Sequence, residues 1–294
     1  MVKMVVVGSS AIDLVVTAKN RPQKGETIIG ETFKIIPGGK GANQAVAGSR
    51  LGVDVVMLGC VGDDGFGEEI LYNLSANNIC TKLMGHIKGT ESGTAHITLA
   101  ENDNSIIVIK GANEFITPSY IKKHTDAFET ADIVLVQQEI PEETVDYVVE
   151  LCDKLNVSII LNPAPARKIK DETIDKVTYL TPNEHEANIL FGVEDYRQIL
   201  SKYPNKLFVT EGETGVRYHD GQAEVVVPTY KVEVVDTTGA GDTFNAAFAV
   251  ALAEGNPIHK SLEFANRAAS LSVTKFGAQG GMPTREVVEA RMVE

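Results

Sequence analysis

The sequence predicts an α/β fold in which a mainly parallel central sheet lies between two layers of helices. Short apolar, β-rich runs alternate along the chain with helical segments, and this order is typical of a parallel sheet with helices on both faces. Two regions, 14–36 and 92–110, break the alternation and have the pattern of strands joined by turns. We expect them to form a small sheet that projects from the main one as a lid, a dimer surface or both.

The alternation can be followed from the N-terminus. "KMVVVGSS" has the composition of a buried strand, and the helical run "GANQAVAGSRLG" lies further along. The strand "VDVVMLGCVG" then leads into "DGFGEEILYNLSANN", a helix whose apolar residues recur at a spacing of about 3.6. Later segments continue this order: "ADIVLVQQE", "PEETVDYVVELCDKLN", "VSIILNPA", "TYLTPN", "EHEANILF", "KLFVTEG" and two helices after Asp236.

The region 92–110 contains "ENDN" at 101–104, which we interpret as the tip of a hairpin. The alternative for both irregular regions is an edge extension of the main sheet with no function of its own. The chain has no internal repeat and no Pro/Gly/Ser linker long enough to separate independent domains. We therefore predict a single domain over 1–294, with 14–36 and 92–110 as the lid strands within it.

Composition and charge exclude several classes of protein. The chain has 294 residues, with 27 basic and 40 acidic side chains and a net charge of −13, which argues against a nucleic-acid or anionic-membrane surface. No run approaches the roughly 18 apolar residues of a membrane span, and the start lacks a signal-peptide pattern. We therefore expect a cytoplasmic protein. Three widely spaced cysteines indicate neither a disulfide framework nor a zinc site.

Polar residues occur where the predicted strands end. Ligands of open α/β sheets bind beyond the carboxyl ends of the strands, so we expect these residues to lie close together. They are Ser10, Asp13, Glu139, Asn162, Asn183, Thr210, Gly212 and the segment 236–242.

Two common nucleotide motifs do not explain the glycines. A Walker loop requires GxxxxGK followed by Ser or Thr, but Lys40 is followed by Gly41 and the position of the first glycine is Lys34. A dinucleotide fingerprint requires GxGxxG, whereas "GAGDTF" ends in Phe244.

The segment "DTTGAGDTFNAAFA" at 236–249 suggests a different chemistry. Gly239, Ala240 and Gly241 offer N–H donors at the N-terminus of a helix, a geometry that suits an anion. Asp242 lies in the first turn of this helix and can accept a proton from a neighbouring alcohol while the amides stabilise a transferring phosphoryl group. Because a carboxylate repels phosphate charge, we expect Mg²⁺ on the nucleotide. The alternative is a helix start whose glycines serve packing only.

The second glycine cluster, "PGGKGANQA" at 37–45, also opens a helix. Its glycines allow a polar ligand to approach the backbone, and Lys40 and Asn43 supply a cation and an amide suited to hydroxyl groups. The carboxylates of Asp13 and Glu139 suit vicinal diols. The alternatives are a tight turn with a solvated lysine and, for each carboxylate, a cap at a strand end.

At these residues the chain resembles the ribokinase family of carbohydrate kinases over nearly its whole length. Both family signatures are present, "GGKGANQA" at 38–45 and "DTTGAGDTFNAAFA" at 236–249. Other matching segments are "VGDDGFGE", "KGTESGTAHI", "LNPAPAR", "LTPNEHEA" and "KFGAQGGMP". Either signature alone indicates a sugar or nucleoside kinase, and the set together indicates ribose.

The resemblance implies ATP-dependent phosphorylation of the 5-hydroxyl of ribose, with Asp242 as the base and the amides of Gly239, Ala240 and Gly241 as the anion hole. It also implies homodimerisation through the lid. The implied sugar-binding residues are Ala11, Asp13, Gly39, Lys40, Gly41, Asn43, Glu139 and Asp242. The implied residues for ATP and its metal are Asn183, Glu186, Thr210, Glu211, Gly212, Gly215, Gly241 and Asn266. The implied site for a monovalent cation, usually K⁺, consists of Asp236, Thr238, Ser272, Lys275, Gly277 and Gly281, mostly through backbone carbonyls.

Two positions depart from the family pattern. Ala11 lies where many members present a polar side chain to the sugar, and Gly281 replaces a side chain that often helps the cation site. Three other interpretations stay open. They are a kinase of another alcohol such as fructose, deoxyribose, a nucleoside or a sugar phosphate, a non-catalytic sugar sensor, and an NAD-binding oxidoreductase, which Phe244 disfavours.

Overall fold

The computed structural model describes residues 1–101 and 103–292. The helices and strands are, in chain order, β1 (Lys3–Val7), β2 (Ala11–Thr17), β3 (Thr32–Gly38), α1 (Lys40–Arg50), β4 (Asp54–Gly62), α2 (Gly65–Ala76), β5 (Met84–Ile87), β6 (Gly93–Ala100), β7 (Asp103–Ile109), α3 (Pro118–Lys122), α4 (Thr125–Glu129), β8 (Ile133–Gln137), α5 (Glu142–Leu155), β9 (Ser158–Asn162), α6 (Asp171–Lys176), β10 (Tyr179–Leu180), α7 (Glu184–Phe191), α8 (Arg197–Leu200), β11 (Phe208–Thr210), β12 (Val216–His219), β13 (Glu224–Val227), α9 (Ala240–Ala253), α10 (Ile258–Ser272) and α11 (Arg285–Met292).

The central sheet is parallel and has the strand order β10-β9-β8-β1-β4-β5. Parallel bridges from Leu180 to Leu207 and from Asn183 to Thr210 place β11 beside β10. The strands β12 and β13 then continue from β11 as an antiparallel hairpin. The predicted α/β fold with a mainly parallel sheet is thus confirmed.

Two hydrophobic clusters cover the two faces of the sheet. Met4 and Val6 of β1 pack in one cluster with the apolar residues of α1, α9 and α10, whereas Val5 and Val7 pack in the other with α5. Successive side chains of a strand point to opposite faces, which explains why the strand is apolar throughout. Within the described residues, no helix has the length and apolar character needed to cross a membrane.

The small projecting sheet, called the lid from here on, has the strand order β3-β2-β6-β7. The inner pair β2 and β6 is parallel and the outer pairs are antiparallel. The segment 18–31, predicted within a run of strands and turns, is almost wholly irregular; it contains turn-forming residues such as Pro22 and Gly25. Asn102 of the predicted hairpin tip lies outside the described residues, as do 293–294 of the predicted domain. The single-domain organisation stays a prediction.

Candidate active site

The N-terminus of α9 lies against the loop that contains Ala278. Gly239 caps the helix with φ 80°, and a Cβ at this position would lie 2.8 Å from Cα and O of Ala278. Both the backbone angle and the close approach therefore require glycine. A Cβ at Gly241 would meet no atom within 4 Å, so open space adjoins the first turn.

Only some of the N–H groups at this helix start donate hydrogen bonds to acceptors within the protein. The N–H of Thr243 donates to the carbonyl of Gly239 at 2.9 Å, which is the first bond of the helix, and the N–H of Ala240 donates to Thr237 at 3.2 Å. Helix geometry leaves the N–H groups of Gly241 and Asp242 without an acceptor inside the helix. These two amides next to open space suit an anion. The predicted anion hole of Gly239, Ala240 and Gly241 is thus corrected at Ala240, whose N–H already has an acceptor in Thr237.

Asp242 follows directly and is only 7% exposed. Its Oδ2 accepts a hydrogen bond from Asn43 Nδ2 at 2.9 Å, and its Oδ1 accepts one from Gln44 Nε2 at 3.1 Å. Burial raises the pKa of Asp242, and this effect outweighs Lys40 and the two amide donors, which lower the pKa. Asp242 is therefore a stronger base than an ordinary aspartate, held by two side chains of α1.

The start of α1 adds further charged groups. The carboxylate of Glu139 accepts hydrogen bonds from Ser9 Oγ and, at 2.9 Å, from the N–H of Lys40. Burial lowers the pKa of Lys40, but the charges of Asp242, Glu139 and Glu186 raise it above its ordinary value. Lys40 thus stays a cation among carboxylates.

Asp13, in β2, belongs to the same group of charges. Burial, followed by the charges of Glu139 and Asp242, raises the pKa of Asp13 to about 6. A Cβ at Gly38 would lie 2.6 Å from the Asp13 carboxylate, so glycine leaves room for this side chain. We call the carboxylates of Asp13, Glu139 and Asp242, together with the cation of Lys40 among them, the carboxylate cluster.

Two further glycines bring α1 against the strands. Gly39 has φ 87°, and a Cβ there would lie 2.8 Å from the backbone of Ser10 and Ala11. A Cβ at Gly41 would lie 2.6 Å from the backbone of Gly8. The predicted sugar-binding residues are thus brought together at one place, and Ala11 lies buried beside Gly39 without a polar group.

Sequence reasoning missed a set of buried amides around Asp242. Gln44 and Gln137 come from α1 and β8, and Gln137 Nε2 donates to Gln44 Oε1 at 2.6 Å. Gln279 Nε2 donates to Asn43 Oδ1 at 3.0 Å. Gln44 and Gln279 lie inside the quoted segments "GGKGANQA" and "KFGAQGGMP", which was the available signal.

The residues predicted for ATP fall into two groups. Asn183 and Glu186 form a capping box at the start of α7, with reciprocal bonds of 2.8 Å between each backbone N–H and the other side chain. Burial raises the pKa of Glu186 despite the opposing effects of Asn183 and Lys40. The charge of Asp242 adds to the rise in the pKa of Glu186, so this first group shares the electrostatic environment of the carboxylate cluster. Thr210 lies beside Asn183 at the end of β11.

The second group is used in packing β11 to β13. The carboxylate of Glu211 binds Arg217, with 2.7 Å between Oε1 and Nε, and accepts a bond from Tyr196 Oη. A Cβ at Gly215 would lie 2.1 Å from the carbonyl oxygen of Val227. Asn266 Nδ2 donates to the same carbonyl at 2.8 Å. Gly212 borders open space.

The residues predicted for a monovalent cation connect two loops. The carboxylate of Asp236 accepts from N and Oγ1 of Thr238 at 3.0 and 2.7 Å and from the N–H of Gly277 at 2.8 Å. A Cβ at Gly281 would lie 1.9 Å from the carbonyl oxygen of Ser272, so this departure from the family pattern has a steric reason. Lys275 is exposed. Within the described residues, no group of three His, Cys, Asp or Glu side chains is placed to hold a metal ion.

Comparisons with known proteins agree on one family. The profile of the pfkB family carbohydrate kinase matches residues 1–285. Among curated proteins, the ribokinase of Bacillus subtilis (strain 168) is 62% identical over 284 residues, covering 97% of each chain. The deoxyribokinase of Salmonella typhi is 37% identical over 292 residues, covering 96% of this chain and 95% of that protein.

A solved structure gives the same result at the level of the fold. Arabidopsis thaliana ribokinase complexed with ribose and ATP superposes with a TM-score of 0.92 at 34% identity, covering 99% of this chain and 98% of that chain.

Proposed function

The chain belongs to the pfkB family of carbohydrate kinases, and we propose that it transfers the terminal phosphoryl group of ATP to the 5-hydroxyl of D-ribose, giving ribose 5-phosphate and ADP. One observation carries the proposal. Asp242, a buried carboxylate of raised pKa, lies next to helix amides that border open space. A base and an anion site are thus adjacent, as transfer of a phosphoryl group to an alcohol requires.

Ribose as the substrate is supported by similarity and by the carboxylate cluster. The 62% identity to a ribokinase exceeds the 37% identity to a deoxyribokinase, and the relative in the solved complex binds ribose and ATP. Asp13 and Glu139 can each accept hydrogen bonds from vicinal hydroxyls, and Asn43 can donate and accept. We assign sugar binding to these three side chains, to Lys40, and to the backbone at Ala11, Gly39 and Gly41.

The reaction follows from these positions. An Asp242 oxygen accepts the proton of the 5-hydroxyl as the alcohol oxygen forms a bond to the terminal phosphorus. The bond from that phosphorus to the bridging oxygen breaks, and its electron pair leaves with ADP. The amides of Gly241 and Asp242, with Gly239 and Ala240 shaping the turn, stabilise charge on the phosphoryl oxygens. Losing one such donor costs roughly 3 kcal/mol in the barrier.

We assign ATP binding to the loops around Asn183, Glu186, Thr210 and Gly212, because a β-bridge joins Asn183 to Thr210 and the charge of Glu186 raises the pKa of Lys40. Glu211, Gly215 and Asn266 support this part of the site through the packing of β11 to β13. Mg²⁺ would neutralise phosphate charge beside the carboxylates, and we assign Glu186 as the carboxylate that would hold it.

We propose a K⁺ site between the loops at 236–238 and 272–281. Backbone carbonyl oxygens suit such a hard cation, and the hydrogen bonds of Asp236 to Thr238 and Gly277 hold the two loops together. A bound cation would stabilise the turn that precedes Gly239 without contacting the sugar.

We also propose a homodimer formed through the lid. Apolar side chains are exposed on it, with Phe33 at 59% and Ile107 at 68%, and β7 is exposed along its length. An uncovered apolar edge strand favours association with a second copy. A cytoplasmic location is proposed because the reaction consumes ATP.

The proposal is tested by measuring ADP release with ATP, Mg²⁺ and a panel of D-ribose, 2-deoxyribose, fructose and adenosine. We expect the highest kcat/KM with D-ribose, little ADP release without sugar, and a product phosphorylated on the 5-oxygen by ³¹P NMR. A preference for 2-deoxyribose would change the substrate assignment and leave the mechanism intact. No ADP release with any sugar would favour a sensor and overturn the proposal.

A further inference from the structure

Asp242 is held by a chain of buried amides whose orientation is determined at its far end. Asn162 Nδ2 donates to the carbonyl oxygen of Thr181 at 3.1 Å. A backbone carbonyl only accepts hydrogen bonds, so the Asn162 amide must present Nδ2 to Thr181 and Oδ1 to the other side. That oxygen lies 3.3 Å from Gln44 Nε2. The atom of Gln44 that faces Asn162 is therefore the donor.

The same donor faces Asp242. Gln44 Nε2 lies 3.1 Å from Asp242 Oδ1, and Gln44 is completely buried. Its Oε1 accepts from Gln137 Nε2 at 2.6 Å, so both ends of the Gln44 amide are bound. Reversing the amide would place its oxygen against the oxygens of Asn162 and Asp242.

This arrangement leaves one buried acceptor without a donor. Gln137 Oε1 has no hydrogen-bond partner within the described residues. It lies against Gly8, where a Cβ would be only 2.0 Å from that oxygen. An unpaired buried acceptor is unfavourable, and reversing Gln137 alone would turn this oxygen toward Gln44 Oε1. The chain thus keeps a donor on Asp242 although one amide oxygen stays unpaired.

We propose that Gln44 is a positioning residue that holds the carboxylate of Asp242 for proton transfer, and that Gln137 fixes the orientation of Gln44. The inference rests on the proposed function, because it assumes that Asp242 is the base. Fixed donors on both oxygens of Asp242 favour the ionised carboxylate and restrict its rotation, so a remaining lone pair of the carboxylate is held in place to accept the proton of the sugar hydroxyl.

Replacement of Gln44 by methionine, of similar length and without a donor, tests the inference. A hydrogen bond to a charged group supports an expected loss in kcat of about 10-fold or more. The acidic limb of the kcat against pH profile should move to higher pH by about one unit, because the ionised base loses a donor. The ribose KM should change much less than kcat.

Two further variants separate positioning from loss of stability. Gln137→Met should move the limb in the same direction by less, and it serves as the test if Gln44→Met does not fold. Thr144→Val removes another buried hydrogen bond, from Thr144 Oγ1 to the carbonyl of Ile116, on α5 and away from Asp242. It should lower Tm and leave the limb unchanged.

The inference is overturned if Gln44→Met and Gln137→Met keep the wild-type limb, or if Thr144→Val moves the limb equally. Asp242→Asn separates this result from a failure of the proposed function. An inactive Asp242→Asn together with unchanged profiles of the glutamine variants would reject Gln44 alone. An active Asp242→Asn would reject the base itself.

Discussion

The carboxylate cluster and the outer strand β7 of the lid differ in how their side chains are held. Asp242 is buried and bonded by two amides from α1, whereas β7 of the lid is exposed along its length. The lid also contacts the loop after α10, since Lys34 Nζ lies 4.0 Å from the ring centre of Phe276. The difference matches the two proposed roles: we assign the chemistry to the buried, hydrogen-bonded cluster and contact with a second copy to the exposed strand.

Replacing Asp242, the proposed base, should have the largest effect on turnover. We expect Asp242→Asn to fold and to lose at least about 10² in kcat, since a positioned base contributes about 10² to 10⁴ in rate. Steady-state ADP release with saturating ribose and ATP measures this. Circular dichroism and Tm provide the control for folding, and near-normal kcat in a folded variant would contradict the prediction.

A smaller effect is expected from the turn that aims the helix amides. Gly239→Ala places a Cβ 2.8 Å from the backbone of Ala278 at φ 80°, so the turn must shift and kcat should fall about 10-fold or more. Gly255→Ala is the matched control at the other end of α9. It has φ 82° with no atom within 4 Å, so it should cost about 1 kcal/mol of stability with kcat unchanged. Equal kcat values for the two variants would contradict the claim that the turn at Gly239 positions the helix amides for catalysis.

The ionised carboxylate of Asp13 should lower the stability of the folded chain, because it lies among other carboxylates. Its pKa is raised from 3.8 to about 6, so the stability it contributes is present below about pH 4 and is lost as the pH rises through 6. Asp13→Asn should therefore increase the free energy of unfolding at pH 7.5 by up to about 3 kcal/mol and raise the ribose KM. Urea unfolding at pH 7.5 and pH 4 measures the difference, which should fall below about 1 kcal/mol at the lower pH. Equal gains at both pH values would refute the assignment.

A substitution on the lid should change the oligomeric state more than it changes kcat. Ile107→Lys places a charge on an exposed apolar strand and should shift a dimer toward monomer, with only a modest change in kcat. Tyr72→Lys is the control, because Tyr72 is an exposed apolar residue of α2 outside the lid. Sedimentation velocity distinguishes the species. Sedimentation of the wild-type chain as a monomer would refute the proposed dimer.

Local sequence patterns determine which parts of the fold and of the site are predictable. The glycine clusters, Asp242 and the lid strands carry local patterns, so the fold class follows from the chain alone. Gln44, Gln137 and Gln279 were missed because a buried amide has no charge or spacing that distinguishes it. The bond between Gln279 and Asn43 joins residues 236 positions apart, which only the folded chain reveals.

Other differences have equally local causes. Glu211 lies in a polar turn after a strand, the pattern expected of a ligand-binding residue, but its carboxylate is bound by Arg217 of the next strand. In the sequence, Gly281 stands out only as a missing side chain of the cation site. The structure supplies the reason, because the carbonyl oxygen of Ser272 leaves no room for a Cβ there. Contacts between neighbouring loops decide both positions.

The pH dependence of single-turnover phosphoryl transfer to ribose, compared between the wild type and Asp242→Asn, tests the central claim most directly. The pKa of Asp242 is raised by burial, and a base acts only when ionised, so the wild-type rate should rise with pH through an acidic limb above the ordinary aspartate value of about 4. The residual rate of Asp242→Asn should lack this limb. The same limb in both proteins would contradict the assignment of Asp242 as the group that accepts the alcohol proton.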